Sequence, residues 1–356
     1  MKHTKQILTI AVLAVVLVGG LVLHLALPDQ AASKSERRKL LQLQQVENAD
    51  DFESYLLDQF PGRDAFRTVK AVWTYYVLGQ KDNNGVFIAN DTVSKLDSQL
   101  DEKQVQMFVD KFNTLHSKYF PDSKVWCAVI PDKNFYLTYG SDYPRLDYDR
   151  LFSMVEDGMP WAEHYQLTGE LDHDLYYTTD SHWRQEKLMS VRDRLALAMD
   201  LELPAWDSYA QTTLPGFHGV YYGQAALPMP AEDLVYLEND VTKNAVVTGP
   251  ELDGEQPIYA PEKFGGMDGY DVFLHGAQAV QTIENPLAET DRELIIFRDS
   301  FGGSLAPLLL PAYKTVTLVD IRYVNSMFLN QFVDFHGQDV LILYSTTLIN
   351  GAAVLQ

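Results

Sequence analysis

A serine lies where a buried apolar segment meets a pair of glycines. Ser300 stands three residues after the strand-like run Glu293–Phe297, and Gly302 and Gly303 precede a helix-forming run. At the carboxyl end of a parallel strand, such a side chain lies where ligands of open α/β sheets bind. The first N–H groups of the helix, with the amides of Ser300, Gly302 or Gly303, would stabilise an oxyanion. The pattern predicts a nucleophile, and a helix cap is the structural alternative.

A second polar cluster supplies the groups that a nucleophilic serine needs. Asp180 and His182 are two residues apart, so in an extended segment they point the same way. A histidine would take the serine proton, and a carboxylate would fix the tautomer of the ring. Two alternatives remain open: Asp180 as the cap of the following helix, or a metal site shared with Asp172, His173 and Asp174.

Taken together, the two motifs resemble those of SGNH-hydrolase-like acyltransferases. The similarity is to the alginate O-acetyltransferase-like group and its DHHW-type relatives, in which an Asp-x-His-Trp motif precedes an Asp-Ser-(Phe/Tyr) motif. Here these motifs are Asp180–Trp183 and Asp299–Phe301, with Ser181 where the DHHW name has histidine. The resemblance covers about residues 50–350. Further segments that carry it are residues 52–55, 58–63, 79–87, 129–133 and 319–323.

The resemblance implies a fold, an activity and a set of site residues. Ser300 would be the nucleophile, His182 the general base and Asp180 the carboxylate that orients it. An acetyl group held on the serine would pass to a hydroxyl of a cell-envelope polysaccharide or to water. A membrane protein would donate the acyl group, and neither a metal nor an organic cofactor would be needed. Gly276, as the counterpart of the family's glycine block, and Arg322, Tyr323 and Trp183 would complete the oxyanion and substrate pocket.

Charge and cysteine content exclude several other classes of function. The net charge is −21, from 28 Lys and Arg against 49 Asp and Glu. An acidic body of this kind repels phosphate backbones, so we expect no nucleic-acid partner. The single cysteine, Cys127, excludes an internal disulfide and a cysteine-rich metal site.

The N-terminal segment predicts attachment to a membrane. Residues 7–27 form an apolar run long enough to cross the hydrocarbon core of a bilayer. This length favours an uncleaved anchor over a cleaved signal peptide, whose apolar region is shorter. Basic residues flank the run on both sides, among them Lys2 before it and Lys34 after it. They leave the orientation open, and we expect the body to lie outside the cytoplasm.

The remaining pattern predicts an α/β fold. Apolar runs at 124–130, 293–297, 315–320 and 340–344 alternate with helix-forming segments, which indicates a parallel sheet flanked by helices, SGNH-like and flavodoxin-like in its three layers. Residues 1–32 are expected to be the anchor, 33–50 a helix-prone stalk, and 51–356 the domain. Within the domain, residues 205–285 read as an irregular β-rich insertion.

Three functions compete at this point. The first is a serine acyltransferase or esterase. The second is a cell-envelope protein without catalytic activity that binds glycans or proteins on the same scaffold, because the oxyanion blocks of ordinary SGNH enzymes have no clear counterpart. The third is a metal-dependent hydrolase that uses the cluster between Asp172 and His182.

Overall fold

A computed structural model of the chain describes residues 2–33 and 35–356. Met1 and Lys34, the latter one of the basic residues that follow the apolar run, lie outside the described residues. Up to residue 119, the helices and strands are α1 (Lys2–Ala26), β1 (Ala32–Ser33), β2 (Arg38–Lys39), α2 (Ala49–Asp58), α3 (Arg63–Val72), β3 (Asp82–Asn83), β4 (Val86–Ala89), β5 (Thr92–Lys95) and α4 (Glu102–Tyr119).

The rest of the chain continues with short helices between strands. Its elements are β6 (Val125–Ile130), α5 (Asn134–Leu137), α6 (Tyr148–Gly158), β7 (Glu163–Gln166), α7 (Met189–Met199), β8 (Ala210–Phe217), α8 (Val220–Ala225), β9 (Glu232–Glu238), α9 (Asp240–Asn244), β10 (Val246–Thr248), β11 (Gln256–Pro257), β12 (Val280–Glu284), β13 (Glu293–Arg298), α10 (Gly302–Leu309), β14 (Thr315–Val319), β15 (Asp339–Ser345) and α11 (Thr346–Ile349).

Two compact units divide these elements. The N-terminal unit contains residues up to Val86 together with Val220–Pro230, and the second unit contains Phe87–Gly219 and Ala231–Gln356. The predicted insertion therefore contributes to both units. The predicted sheet and the candidate catalytic residues all belong to the second unit.

The N-terminal unit begins with an apolar helix. Within α1, the 21 residues Thr4–His24 are long and apolar enough to cross a membrane. Farther along, Asn48 caps α2 by accepting a hydrogen bond from the backbone N–H of Asp51 at 2.9 Å. After α3 the helix continues as a π-helical turn over Trp73–Val77.

The expected helical stalk takes another form. Between α1 and α2, β1 and β2 pair as a small antiparallel hairpin, with Ala32 opposite Lys39. A 3₁₀ turn then covers Leu43–Gln45. The spacing of the apolar residues in this stretch suggested a helix, but Leu40, the buried one among them, lies directly after β2.

The second unit is built on an eight-stranded, mostly parallel sheet with the order β11-β10-β12-β14-β13-β15-β6-β7. Neighbouring strands from β14 to β7 are parallel, whereas β12, β10 and β11 continue the sheet antiparallel beyond β14. The predicted α/β fold is confirmed. Residues 205–285 are rich in β-strands, as expected: three of their strands extend the main sheet, and β8 and β9 form a separate antiparallel pair.

Both faces of the sheet are covered, which explains the continuous apolar runs. All six residues of β6 are buried; Trp126 and Ala128 face one hydrophobic core, and Cys127 and Val129 face the other. Helices α4 and α6 pack in the second of these cores, and α7 and α10 pack in the first. The alternation follows from the two-residue period of a strand.

The spacing of apolar residues predicts helices over residues 102–119, 148–167 and 324–335, and the last two are shorter than expected. The segment 148–167 forms α6 and then β7, because Pro160 follows the end of α6 and cannot continue its hydrogen bonds. The segment 324–335 forms only a 3₁₀ stretch over Ser326–Gln331. By contrast, α4 has the predicted bounds.

The core residue Phe112 of α4 provides a test of this packing. It is fully buried, and its ring lies 5.6 Å from the rings of Phe297 and Tyr344. We expect Phe112→Ala to lower the free energy of unfolding by about 3–5 kcal/mol, measured by urea denaturation. The exposed Met107 on the same helix is the control, and its replacement by alanine should change stability little. Equal effects at the two positions would contradict this packing.

Candidate active site

The nucleophile candidate lies in the turn between β13 and α10. Asp299 holds this turn: its Oδ1 accepts the N–H of Phe301 at 3.1 Å, and its Oδ2 accepts the N–H of Ser345 at 2.9 Å. Gly302 is needed for close packing, since a Cβ there would lie 2.6 Å from the Cβ of Arg298. Ser300 is thereby held at the carboxyl edge of the sheet, between the ends of β13 and β15.

A tight turn presents Asp180 and His182. Tyr176 and Trp183 form an antiparallel bridge, and the N–H of Tyr177 donates to the carbonyl of His182 at 3.0 Å. Both the backbone N–H and the ring Nδ1 of His182 bond to Asp180 Oδ1, at 3.0 and 2.5 Å. Asp180 is fully buried and His182 nearly so. The carboxylate and the ring therefore form one rigid pair.

The two segments meet at the imidazole ring. His182 Nε2 lies 2.6 Å from Ser300 Oγ, across 118 positions of sequence. An ionised Asp180 can only accept, so Nδ1 carries the ring proton and Nε2 accepts the hydroxyl proton of Ser300. This arrangement has the geometry of a Ser-His-Asp catalytic triad.

Aromatic packing fixes the plane of the histidine ring. Tyr270 stacks on His182 with ring centroids 3.9 Å apart and an interplanar angle of 8°. The Tyr270 hydroxyl donates to Ser304 Oγ at 2.8 Å, and Trp183 Nε1 donates to the same oxygen at 2.8 Å. Ser304 is fully buried on α10. It therefore links the turn of His182 to the helix that follows Ser300.

Trp183 has a positioning role in this arrangement. Its side chain is fully buried and is not among the residues that line the cleft next to Ser300. The expectation that it contacts substrate is corrected by this burial. Its indole ring packs edge-on against Phe301, with centroids 5.1 Å apart, and so supports the turn that carries Ser300.

A buried lysine lies behind the acidic member of the triad. Lys133 is 1% exposed, and its ammonium donates to the backbone carbonyls of Val93, Tyr177 and Thr178. Burial lowers the pKa of Lys133 to about 7, against the opposing negative charges of Asp180 and Glu232. Lys133 thus connects β5 to the segment that leads into Asp180.

Gly219 covers the other side of Asp180. A Cβ on Gly219 would lie 2.2 Å from the Cβ of Asp180 and 2.3 Å from the carbonyl oxygen of Thr179. The N–H of Gly219 donates to Thr179 Oγ1 at 2.8 Å. Only glycine permits this approach. Sequence reasoning gave no role to Gly219, Lys133 or Tyr270, because each acts through a neighbour brought close by the fold. Lys133 ends the segment 129–133, which the resemblance marks only as a strand and its end.

Beside the triad, a cleft of about 210 Å³ opens next to Ser300. Four of the residues predicted for the oxyanion and substrate pocket line it: Gly276, Gly303, Arg322 and Tyr323. Arg322 is held by two hydrogen bonds to the buried Asp320, at 2.8 and 2.6 Å. Tyr323 is 53% exposed, so its ring is open to a ligand at the rim.

Arg298 also lines the cleft, and the sequence analysis gave it no role. Its guanidinium is 1% exposed; Nη2 donates to Gln281 Oε1 at 2.9 Å, and Nη1 lies 3.9 Å from Asp320 Oδ2. Its Nε is buried without a hydrogen-bond partner. Burial lowers the pKa of this guanidinium, although Asp320 opposes the shift. Arginine keeps its charge in proteins, so the cleft has a cationic wall.

A left-handed turn contributes Gly276 to the lining of the cleft. Leu274, His275 and Gly276 have φ values of 50°, 61° and 91°, a costly conformation for the first two. Side chains hold their carbonyl oxygens, through Gln281 Nε2, Lys263 Nζ and Arg298 Nη2 in turn. The predicted glycine block is thus a strained turn that its surroundings maintain.

The glycines after Ser300 have their amides engaged. The N–H of Gly302 donates to the carbonyl of Asp299, and the N–H of Gly303 to that of Ser300, both at 3.2 Å. Gly303 lines the cleft, whereas Gly302 faces Arg298. These N–H groups close the turn, so an oxyanion needs other donors.

The acidic residues and histidines between Asp172 and His182 separate into two groups. Asp172 Oδ1 accepts from Nδ1 of His173 at 2.8 Å at the surface. Asp180 and His182 are directed at Ser300 instead. Among the described residues, no three His, Cys, Asp or Glu side chains are grouped in a way that would hold a metal ion.

Comparison with known proteins establishes the fold. No protein-family model matches the sequence, and no curated protein matches it. Among solved structures, a DHHW family protein from Eubacterium siraeum superimposes with a TM-score of 0.64 at 19% identity, over 77% of this chain and 94% of the other. PatB1 of Bacillus cereus, solved with a sulfonyl adduct, gives 0.60 at 14% identity, over 74% and 95%.

These two likenesses confirm the predicted resemblance at the level of the fold. The chain has the α/β fold of the DHHW family protein. It shares that fold with PatB1 over nearly the whole of the PatB1 chain.

The shared hydroxyl of Ser304 yields a stability prediction. Ser304→Ala leaves the buried donors of Trp183 and Tyr270 without their acceptor, at about 1–3 kcal/mol for each. We expect a matching loss in the free energy of unfolding, measured by urea denaturation. The exposed Ser153→Ala is the control. A neutral Ser304→Ala variant would contradict the assigned contacts.

Lys133 yields a pH prediction. The pKa of Lys133 is about 7 in the folded protein and near 10.4 in an unfolded chain. At a pH between these two values, the side chain is neutral when the protein is folded and binds a proton when it unfolds. The wild type should therefore gain stability relative to Lys133→Met as pH rises from 7 to 9, by up to about 1.4 kcal/mol per pH unit. Urea denaturation of both proteins at several pH values measures this, and parallel pH profiles would contradict it.

Proposed function

We propose that this protein is a serine acyltransferase or esterase that carries an acetyl group on Ser300. The observation that carries the proposal is the hydrogen-bonded chain from Asp180 through His182 to Ser300, with a cleft open beside the serine. The fold shared with the DHHW family protein and with PatB1 supports it.

The first half of the reaction forms an acyl-enzyme. Ser300 Oγ bonds to the carbonyl carbon of the donor ester while its proton passes to His182 Nε2, and the carbonyl electron pair moves onto oxygen. The C–O bond to the donor alcohol then breaks, and that alcohol takes the proton from Nε2. Asp180, buried against Nδ1, stabilises the positively charged ring between the two proton transfers.

The second half repeats these steps in reverse. His182 Nε2 takes the proton of an acceptor hydroxyl, or of water, as its oxygen attacks the acyl carbon. The bond to Ser300 breaks, and the serine recovers its proton. Each step uses only groups of this chain together with donor and acceptor. No step calls for a metal or an organic cofactor.

The oxyanion requires donors beside Ser300. The amides of Gly302, Gly303 and Gly276 donate to backbone carbonyls, so we assign the role to the N–H groups of Ser300 and of Ala277, which follows the left-handed turn and lines the cleft. The buried charge of Arg298 favours negative charge in the same cleft.

We assign the acceptor to the cell-envelope polysaccharides. The open ring of Tyr323, with the guanidinium of Arg322 5.2 Å from its centroid, gives a sugar a surface on which to stack at the rim of the cleft. The apolar α1 would anchor the chain in the membrane, with the body outside the cytoplasm. A membrane acyl-donor protein would then supply the acetyl group.

The decisive test is covalent labelling of the full chain in detergent. A sulfonyl fluoride or fluorophosphonate probe should modify Ser300 alone, identified by peptide mass, and the protein should hydrolyse a chromogenic acetyl ester. Ser300→Ala should abolish labelling and lower kcat/KM by about 10³-fold or more, with His182→Ala similar. Ser153→Ala, on the surface, should behave as the wild type.

Two outcomes distinguish the alternatives. A protein that melts cooperatively yet neither labels nor hydrolyses the ester would overturn the acyl-enzyme and favour a glycan- or protein-binding role. If labelling succeeds, addition of soluble polysaccharides separates transfer from hydrolysis, because an acceptor hydroxyl competes with water for the same acyl-serine.

A further inference from the structure

The N-terminal unit exposes a row of large apolar side chains along α3 and its π-helical turn. Phe66, Val69, Trp73 and Tyr76 recur at spacings of three and four residues and are 61%, 65%, 57% and 73% exposed. We call these four residues the apolar face. Ala71 and Thr74, in the same helical stretch, are buried, so the helix is packed on one side only. An exposed aromatic row of this kind marks a contact surface.

The turn that precedes α3 packs against the apolar α1. A Cβ on Gly20 would lie 3.8 Å from the ring of Phe60. One helical turn farther on, His24 Nδ1 lies 3.2 Å from the carbonyl oxygen of Gln59. The ring of His24 also meets that of Tyr55 at 5.5 Å. The connection between α2 and α3 therefore packs against the C-terminal part of α1.

These contacts determine how deep Phe60 lies along α1. Gly20 lies four residues inside the apolar span that ends at His24, which corresponds to about 6 Å along a helix. If α1 crosses a bilayer, Phe60 lies below the surface of the hydrocarbon core at that end. The apolar faces of helices that lie in the membrane interface are buried to a similar depth, about 5–10 Å.

Phe60 also leads directly to the apolar face. Its ring packs edge-on against that of Phe66, with centroids 5.7 Å apart. Because Phe66 is in the first turn of α3, the face starts at the level of Phe60. The contact thus continues from α1 through one aromatic pair to the apolar face.

The charged residues of α3 lie off this face. Arg63 and Arg67 pair with Glu36 at 2.7 and 3.0 Å. Lys70 is exposed beside the apolar face, where a long basic side chain can reach lipid phosphates. A helix with aromatic and aliphatic residues on one side and basic residues at its margin is typical of helices that lie in the membrane interface.

We propose that α3 and its π-helical turn lie in the headgroup region of the bilayer, with the apolar face turned into the lipid. This inference rests on the membrane insertion of α1 that is proposed above. The protein then contacts the membrane twice, once through a spanning helix and once through an interfacial one. The occupant of the apolar face is lipid, because the face begins at Phe66, which packs against Phe60 at the depth that α1 sets.

The test uses the full chain, reconstituted in vesicles of phosphatidylethanolamine and phosphatidylglycerol. A thiol-reactive, environment-sensitive fluorophore is placed on Val69→Cys in the apolar face, on Val15→Cys in the middle of α1, or on the exposed Asp64→Cys of α3. Cys127 is buried, and burial raises the pKa of its thiol to about 12, so it labels slowly; the parent protein measures that background. Lipids with a nitroxide near the headgroup or near the chain end act as quenchers.

We expect the probe at Val69 to shift to shorter wavelength and to lose about half of its emission or more to the shallow quencher, and less to the deep one. The probe at Val15 should respond most to the deep quencher, and the probe at Asp64 to neither. Quenching at Val15 without quenching at Val69 overturns this inference and leaves the anchor intact. A probe at Val15 that no lipid quenches overturns the anchor and the inference together. A blue shift at Val69 without lipid quenching points to a protein contact, such as a second copy, and also overturns it.

Discussion

The hydrogen bond between His182 and Ser300 is the contact on which the rest of the site depends. It joins a turn that follows β7 to the end of β13. Nothing within either segment alone determines where the other segment lies. Each partner is held by a separate set of contacts. Asp299 accepts the N–H groups of Phe301 and Ser345 and so holds the turn that carries the serine. Asp180 Oδ1 accepts the backbone N–H and the ring Nδ1–H of His182 and so holds the imidazole. Ser304 then links the two sets through Trp183 and Tyr270, so a displacement of one segment would be resisted by the other.

Much of this architecture follows from local patterns. The runs that form β6, β13 and β15 are apolar on both faces, which is the pattern expected of a strand covered on both sides. The spacing of Asp180 and His182 likewise predicts a shared direction, and their geometry agrees with it. Strand β7 could not be predicted in this way, because its four residues are only partly buried and their sequence resembles the end of a helix.

The residues that sequence reasoning missed share one property: their role is set by long-range packing. Lys133 is an ordinary basic residue after a strand until its burial next to Asp180 is known. Gly219 stands in a segment with no motif, and only the approach of Asp180 makes a side chain impossible there. Residues 205–285 posed the same difficulty, since β10, β11 and β12 are short and join the main sheet only through the pairing of β12 with β14, which comes later in the chain.

The main sheet tapers toward both of its edges. Next to the five-residue β14 and β12 come β10 with three residues and β11 with two, and on the other side the seven residues of β15 lead through β6 to a four-residue β7. A long, flat outer strand would offer unpaired N–H and carbonyl groups as a template for a neighbouring chain. The short outer strands here offer very little. The sheet therefore limits edge-to-edge aggregation by its own geometry, an advantage for molecules that would be concentrated side by side on one surface.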